Sequence, residues 1–489
     1  MTQYSESTQH EGRIGIIDIG SNSVRLVVYD EMKRAPVALY NEKAQCGLGR
    51  GLASSKRLNA DGVAMARRSL ARFLALAQAM DVVQLHVFAT AAVRDAEDGL
   101  AFVDMLEREH GIDIAVISGK KEAKLGAWGV CASVYEPKGV AGDLGGGSME
   151  LTRLDGQDFK EHASLPIGPL RLLDETKGNR AAMQKIISRQ LENVGWLGEK
   201  KTPNFYAIGG TFRALAKMHL TASAYPLRVL HEYTVEAKAF GKFLDDLLDM
   251  NPDKLAGLPG AAAKRVDALA PGALVIKAIL GRAKPEQVVF CAAGIREGYL
   301  YEKLSPNQKR QDPLLASSAD TLAQSGRLQH YGQELFVWMA PLFAKESDDA
   351  RRLRLAFCML SEIAWAIHPE YRAEWAMHRI LQSSLTGVTH TERVRLAVAL
   401  YHRYQARMKE PPRVLSLLSG KEQTWARMAG GAAGLAYALS GSIPGSLHRT
   451  TLTVSKNEVA LTASPAARDL QGDLVRKRLD ALNDVYKSL

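Results

Sequence analysis

The chain has 489 residues, 46% of them apolar and 24% charged, a composition that can bury several cores and shows no low-complexity tract. A formal net charge of +10 gathers anions and leaves nucleic acid, an acidic membrane surface and a polyanionic substrate all open as partners. Four widely spaced cysteines, Cys46, Cys131, Cys291 and Cys358, form no CxxC pair, which suggests neither a zinc site nor a disulfide framework and fits reduced thiols in the cytoplasm.

The start, "MTQYSESTQHEGR", is polar and lacks the apolar centre of a signal peptide. "RIGIIDIG" then reads as a buried strand ended by Asp and Gly, and "VRLVVYD" as a second strand after the turn Ser21–Asn22–Ser23. "ADGVAMARRSLARFLALAQAM" has helical apolar spacing. "VVQLHVFATAAVRDA" reads as a strand running into a loop, and "GLAFVDMLEREHG" as a helix stopped by Gly111. "IDIAVIS" is a further strand, and "GKKEAKLGAWGVCASV" opens a helix. The pattern then restarts. "GVAGDLGGGSMELTRLD" is strand, turn, strand; "NFYAIGGTFRALAKMHL" and "QVVFCAAGIREGYLYEKL" are each strand, glycine turn and helix. Strands alternating with helices give an α/β layer architecture. From about Ser305 helices dominate, as in "RRLRLAFCMLSEIAWAI" and "TERVRLAVALYHRYQARM", with a basic excess. The uncharged run Met428–Leu447 is rich in Gly, Ala and Ser and holds Pro444, so it is read as a packed helix and turn. A hairpin, "RTTLTV", "SKNE", "VALTAS", and a helix over 465–489 close the chain.

Two stretches share one shape at a constant offset of 125 residues, 143 − 18. "IDIGSNSVRL" and "GDLGGGSMEL" align Asp18 with Asp143, Gly20 with Gly145, Asn22 with Gly147, Ser23 with Ser148 and Leu26 with Leu151. Glycines let backbone N–H groups approach an anion, and serines add donors, so Gly145, Gly146, Gly147 and Ser148 read as a phosphate cradle. No G-x-x-x-x-G-K-[ST] loop is present. Asp18 and Asp143 would repel phosphate directly, so they fit a Mg²⁺ or its waters between protein and phosphate. A third turn, Gly209–Gly210–Thr211, belongs to the same set. Two ordinary tight turns are the competing account, weakened by the shared offset.

The pieces "DIGSNSVRLVV", "GLGRGL", "ATAAVRDA", "ISGKKEAKL", "GDLGGGSMEL", "AIGGTFRALA" and "AGIREGYLY" occur in an order that resembles the exopolyphosphatase and guanosine pentaphosphate phosphohydrolase (Ppx/GppA) family, of the actin-like ATPase superfamily. The resemblance implies two actin-like, ribonuclease H-like half-domains facing a cleft, over 1–127 and 128–308. It implies an all-α HD-like domain over 309–445 and a small βα module over 446–489. It makes Glu122 the general base, Asp143 a metal- or water-positioning carboxylate, Arg94 an arginine at the phosphate site, and Glu150 an acid beside the same centre. Asn22, Ser23, Gly145, Gly146, Gly147, Ser148, Gly209, Gly210 and Thr211 match the phosphate loops, and Asp18, Asp143 and Glu150 the metal side. The family often has two acids in SG-x-E-E-A; here the first is Lys121, and Lys124 stands where arginine is common.

Lys120, Lys121 and Lys124 are expected to hold down the Glu122 pKa and to form a polyphosphate track. Ser361–Glu362 stands where an HD dyad is expected, so His368, His378, His390 and His402 read as structural and the helical domain as metal-free. The expectation is a cytoplasmic, homodimeric exopolyphosphatase. It would use Mg²⁺, with a monovalent cation as a possible addition, and would engage neither membrane nor specific nucleic acid. Guanosine pentaphosphate is the nearest alternative substrate. Outside that class stand an actin-like kinase or ATPase and a guanosine-tetraphosphate-binding regulator.

Overall fold

The structure is a computed structural model that describes residues 12–156, 159–251, 254, 257, 258, 266–325, 331–456 and 458–488. The polar start of the chain, apart from Gly12 and Arg13, lies outside the described residues. The chain divides into two compact units, Met1–Tyr225 with Leu230–Arg310, and Gln311–Leu489 with Pro226–Val229.

The first unit holds two sheets. Strands β1 (Arg13–Ile19), β2 (Ser23–Tyr29), β3 (Ala38–Gln45), β4 (Val82–Ala89) and β5 (Ile114–Val116) lie in the order β3-β2-β1-β4-β5. The second sheet comprises β6 (Lys138–Leu144), β7 (Met149–Asp155), β8 (His162–Leu165), β9 (Asn204–Ile208), β10 (Tyr233–Glu236) and β11 (Gln287–Phe290), in the order β10-β11-β9-β6-β7-β8. β1 is apolar almost throughout because both its faces are covered. Ile14 and Ile16 pack with Val27, Tyr29 and Phe88, while Ile17 and Ile19 pack with Val24, Leu26 and Val28.

The 125-residue offset is a structural duplication. β1 pairs antiparallel with β2 and parallel with β4; β6 pairs antiparallel with β7 and parallel with β9. Asp18 faces Arg25 across the first hairpin, as Asp143 faces Glu150 across the second. Both turns close with the same bond, Gly20 N–H to Ser23 O at 2.9 Å and Gly145 N–H to Ser148 O at 3.0 Å.

β3 went unread because "ALYNEKAQ" is polar and at most half-buried, an edge strand without an apolar face. The segment after β4 forms a short helix, Ala91–Asp95, in place of a loop. The boundary drawn at 127/128 falls inside the helix Gly119–Ser133. That helix is no linker: Leu125, Trp128 and Cys131 pack with Ile14 and Ile16, while Ala127 and Val130 pack with Ala141, Tyr206 and Ile208. The helix over Gly99–His110 ends as expected at Gly111, which takes φ 64° and donates to Glu107 O at 2.8 Å.

In the second unit, helices include Pro313–Ser325, Asp348–Leu360, Arg372–Gln382, His390–Tyr404 and Gly420–Ser440. Residues 428–440 form the end of the Gly420–Ser440 helix, which Gly441 stops at φ 58°. Its small residues allow close packing: a Cβ on Gly430 would lie 2.4 Å from Ala399 O. Among the described residues no helix is long and apolar enough to cross a membrane. The hairpin forms from β12 (Thr450–Val454) and β13 (Val459–Ala463). The last helix is shorter than expected, because the chain makes a 3-10 turn at Pro465–Leu470, breaks at Gly472 and resumes over Asp473–Tyr486; Leu489 lies outside the described residues. Glu362 is buried and pairs with Arg403 Nη2 at 2.5 Å.

Candidate active site

The strand ends of both sheets open on one cavity of about 600 Å³. Asp18, Asn22 and Ser23 line it from the β1–β2 turn, Asp143 with Gly145 to Ser148 from the β6–β7 turn, and Gly209, Gly210 and Thr211 from the end of β9. Glu122 enters from the first turn of the helix Gly119–Ser133.

The glycines are required by close approach. The two loops face each other directly: a Cβ on Gly146 would lie 3.1 Å from Ser21 Cβ, and one on Gly147 would lie 3.3 Å from Ser21 Oγ. Gly209 takes φ 104°, where a side chain is strained, and its Cβ would meet Leu144 O at 2.5 Å and Asp143 Oδ1 at 3.0 Å. From it starts the helix Gly210–Ala222, whose first residues Gly210 and Thr211 line the cavity and bring the positive end of the helix dipole to it. Ser148 is buried beside Glu150, whose charged form it favours.

Four carboxylates act on one another electrostatically, and burial dominates their titration. Glu122 is 5% exposed, and burial pushes its carboxyl up to about 7 against the bond it accepts from Arg94. Asp143 is pushed up to about 6 by burial, against the attraction of Arg213. Asp18 is raised by burial although Arg296 Nη1 lies 3.2 Å from its Oδ2. Glu150 is raised well above the usual range by burial and by Glu122, against Ser148 and against Ser164, which donates to its Oε1 at 3.0 Å. Mutual repulsion among such groups is what a bound cation relieves, so the residues fit a Mg²⁺. Among the described residues no three His, Cys, Asp or Glu side chains converge as a full ligand set.

Some expected residues stand elsewhere. Arg94 does not line the cavity; its Nη1 donates to Glu122 Oε2 at 3.0 Å and to Ile117 O at 3.1 Å. Glu150 lies behind the lining, on β7. Lys120, Lys121 and Lys124 are absent from it as well. Lys121 Nζ donates to Glu302 Oε1 at 2.7 Å, and Lys124 Nζ lies 3.7 Å from the same carboxylate. Lys121 and Lys124 thus turn to Glu302, and burial raises the Glu122 pKa that the lysines were expected to hold down. The cavity's cations come from other places: Arg25, Lys43, Arg50, Lys177, Arg213 and Arg296. Arg25, Arg50, Arg213 and Arg296 lie inside the recognised motifs, but only the fold shows that they share a cleft. Lys43 sits on the unread β3.

Residues 27–307 match the Ppx/GppA phosphatase family, and residues 314–487 match the family described as exopolyphosphatase, C-terminal. The chain is similar to exopolyphosphatase 1 of Mycobacterium bovis, 28% identical over 324 residues that cover 63% of this chain and 93% of that protein. It is also similar to a guanosine-5'-triphosphate,3'-diphosphate pyrophosphatase of Aeromonas hydrophila, 24% identical over 83% of this chain and 84% of that protein. Among solved structures, an exopolyphosphatase from Cytophaga hutchinsonii superimposes with a TM-score of 0.55 at 24% identity, over 59% of this chain and 96% of the other, which supports the fold.

Proposed function

The chain belongs to the Ppx/GppA phosphatase family, and from that premise we infer that it is an exopolyphosphatase, releasing orthophosphate from the end of linear polyphosphate. The observation that carries this reading is Glu122. It is buried, held at one oxygen by Arg94, and opens on a cavity walled by two phosphate-type loops. Phosphoanhydride hydrolysis needs an in-line water, a group to orient it and fixed donors around the transferred phosphoryl. The backbone N–H groups of 146–148 supply donors for the terminal phosphate, beside the positive end of the helix that starts at Gly210. Glu122 takes the proton as the water oxygen bonds to phosphorus. The bridging P–O bond breaks, and the shortened polyphosphate carries the electron pair away. Mg²⁺, held through Asp143 with Asp18, would neutralise charge on the phosphate oxygens when bound.

The cations Arg25, Lys43, Arg50, Lys177, Arg213 and Arg296 suit a substrate with many phosphates. Removal of the 5′ γ-phosphate from guanosine pentaphosphate is the second reading. It is favoured by the similarity to the Aeromonas hydrophila protein over 83% of this chain. A homodimer and a degenerate HD-like role for 309–445, with Arg403 paired to Glu362, belong to the same proposal. Phosphate release with Mg²⁺ and no nucleotide, from long-chain polyphosphate and separately from guanosine pentaphosphate, tests it. Release from the nucleotide alone selects the second reading, and silence on both with nucleotide bound selects a regulator. Salt sensitivity gives an independent check. Raising KCl from 50 to 200 mM is expected to raise KM for long polyphosphate by roughly 10–100-fold, because each phosphate contact displaces a counterion. The shift for guanosine pentaphosphate should be much smaller.

A further inference from the structure

A row of side chains joins the general base to the glycine loop. Glu122 Oε2 accepts from Arg94 Nη1 at 3.0 Å. Arg94 Nε donates to Asp95 Oδ1 at 3.2 Å. The other oxygen, Asp95 Oδ2, accepts from Arg171 Nη2 at 2.5 Å. Arg171 lies in the first turn of the helix Pro169–Thr176, whose leading backbone is tied to the loop. Gly168 N–H donates to Gly147 O at 3.2 Å, and Leu170 N–H to Gly146 O at 2.9 Å. Asp95 belongs to the first half-domain and Arg171 to the second, so the row crosses between them. A second crossing runs beside it, where Ser54 N–H and Oγ each donate to Asp174 at 3.0 Å.

We propose that Asp95 is a positioning residue: its bridge to Arg171 sets Glu122 at the attack geometry against the loop 145–148 when the two halves are apposed. The proposal rests on the reading of Glu122 as the base. Base and phosphate cradle sit on different elements, and only their relative placement makes the water in-line. Arg94 fixes one oxygen of Glu122, and Asp95 keeps the guanidinium from turning. Asp95 in turn accepts from two arginines on opposite halves. Arg94, Asp95 and Arg171 are 20–31% exposed, so each pair alone adds little to stability. Their consequence is orientation, which kinetics read and thermal unfolding does not. Glu122 is faced by Arg94, Asp143, Asp18 and Glu150; among these Arg94 is the group that favours its ionised form.

The test compares Asp95→Asn, Arg171→Gln, the double variant and Glu122→Gln in the full chain, on whichever substrate releases phosphate. Each single variant is expected to lower kcat by about 10-fold with KM within about twofold. The double variant should be no worse than either single, because both break one row. The acid limb of kcat/KM should move to higher pH in all three, since a loosened Arg94 holds Glu122 ionised less well. Thermal midpoints should stay near wild type, and Arg171→Lys should recover part of the rate. Additive losses, an unmoved acid limb, or a raised KM at unchanged kcat would each overturn the proposal. If Asp95→Asn fails to fold, Arg171→Gln beside Arg171→Lys carries the same comparison. Turnover that survives in Glu122→Gln removes the base reading itself. A dead Glu122→Gln beside a fully wild-type Asp95→Asn sinks the bridge alone.

Discussion

Glu122→Gln is expected to lower kcat for phosphate release by about 10³-fold, with polyphosphate affinity within a few-fold of wild type. Glutamine keeps the size of the side chain and can still accept from Arg94, so the cavity wall survives. What it loses is the ability to take a proton. Glu122 does not belong to the loops that cradle phosphate, and the cations on the cavity come from other elements. Substrate binding therefore has no reason to fail. Phosphate release measured beside direct binding of polyphosphate separates the two effects. A variant that binds poorly yet turns over normally at saturation would make Glu122 a binding residue.

Asp143→Asn is expected to lower kcat/KM by about 10²-fold and to raise the Mg²⁺ concentration for half-maximal rate by about tenfold. The carboxylate ends β6, lines the cavity and faces Arg213 and Arg296. An amide cannot balance those arginines or hold a cation. The same variant is expected to be more stable than wild type at pH 7.5. Burial raises the folded-state pKa of Asp143 from 3.8 to about 6. A carboxyl raised on folding contributes stability that is full below its unfolded value and lost as pH rises through the folded one. Above about pH 6 the wild type therefore keeps a charge that its surroundings disfavour, and asparagine removes it. Melting curves at pH 5 and pH 7.5 should differ in sign or size, with the gain at the higher pH. A variant less stable at pH 7.5 would mean that Arg213 and Arg296 outweigh burial.

The features legible in the sequence were the local ones. Strand, turn and strand run without interruption over 13–29 and 138–155, so the 125-residue offset exposed a duplication that the matching registers of Asp18 and Asp143 repeat in space. The cap at Gly111 and the hairpin at 450–463 are local in the same sense. What escaped depends on residues far away in the chain. Lys121 and Lys124 flank Glu122 in sequence, yet the helix Ile295–Lys303 brings Glu302 to them and takes their charge from the cleft. Arg94 lies 28 residues before Glu122, and no spacing rule says that it holds the base instead of the phosphate. Arg213 and Arg296 stood in plain view within recognised motifs; their meaning required the two halves to be folded together. β3 lacked an apolar face, so its Lys43 stayed hidden with it.

The most direct test of Glu122 as the base is the pH dependence of kcat/KM for phosphate release, taken on wild type and on the residual activity of Glu122→Gln. Wild type should show activity rising with pH through an apparent pKa near the value of about 7 that burial gives Glu122, because only the ionised form accepts the proton. The limb should vanish in Glu122→Gln. An acid limb that persists unchanged in the variant would place the base on another side chain and contradict the account.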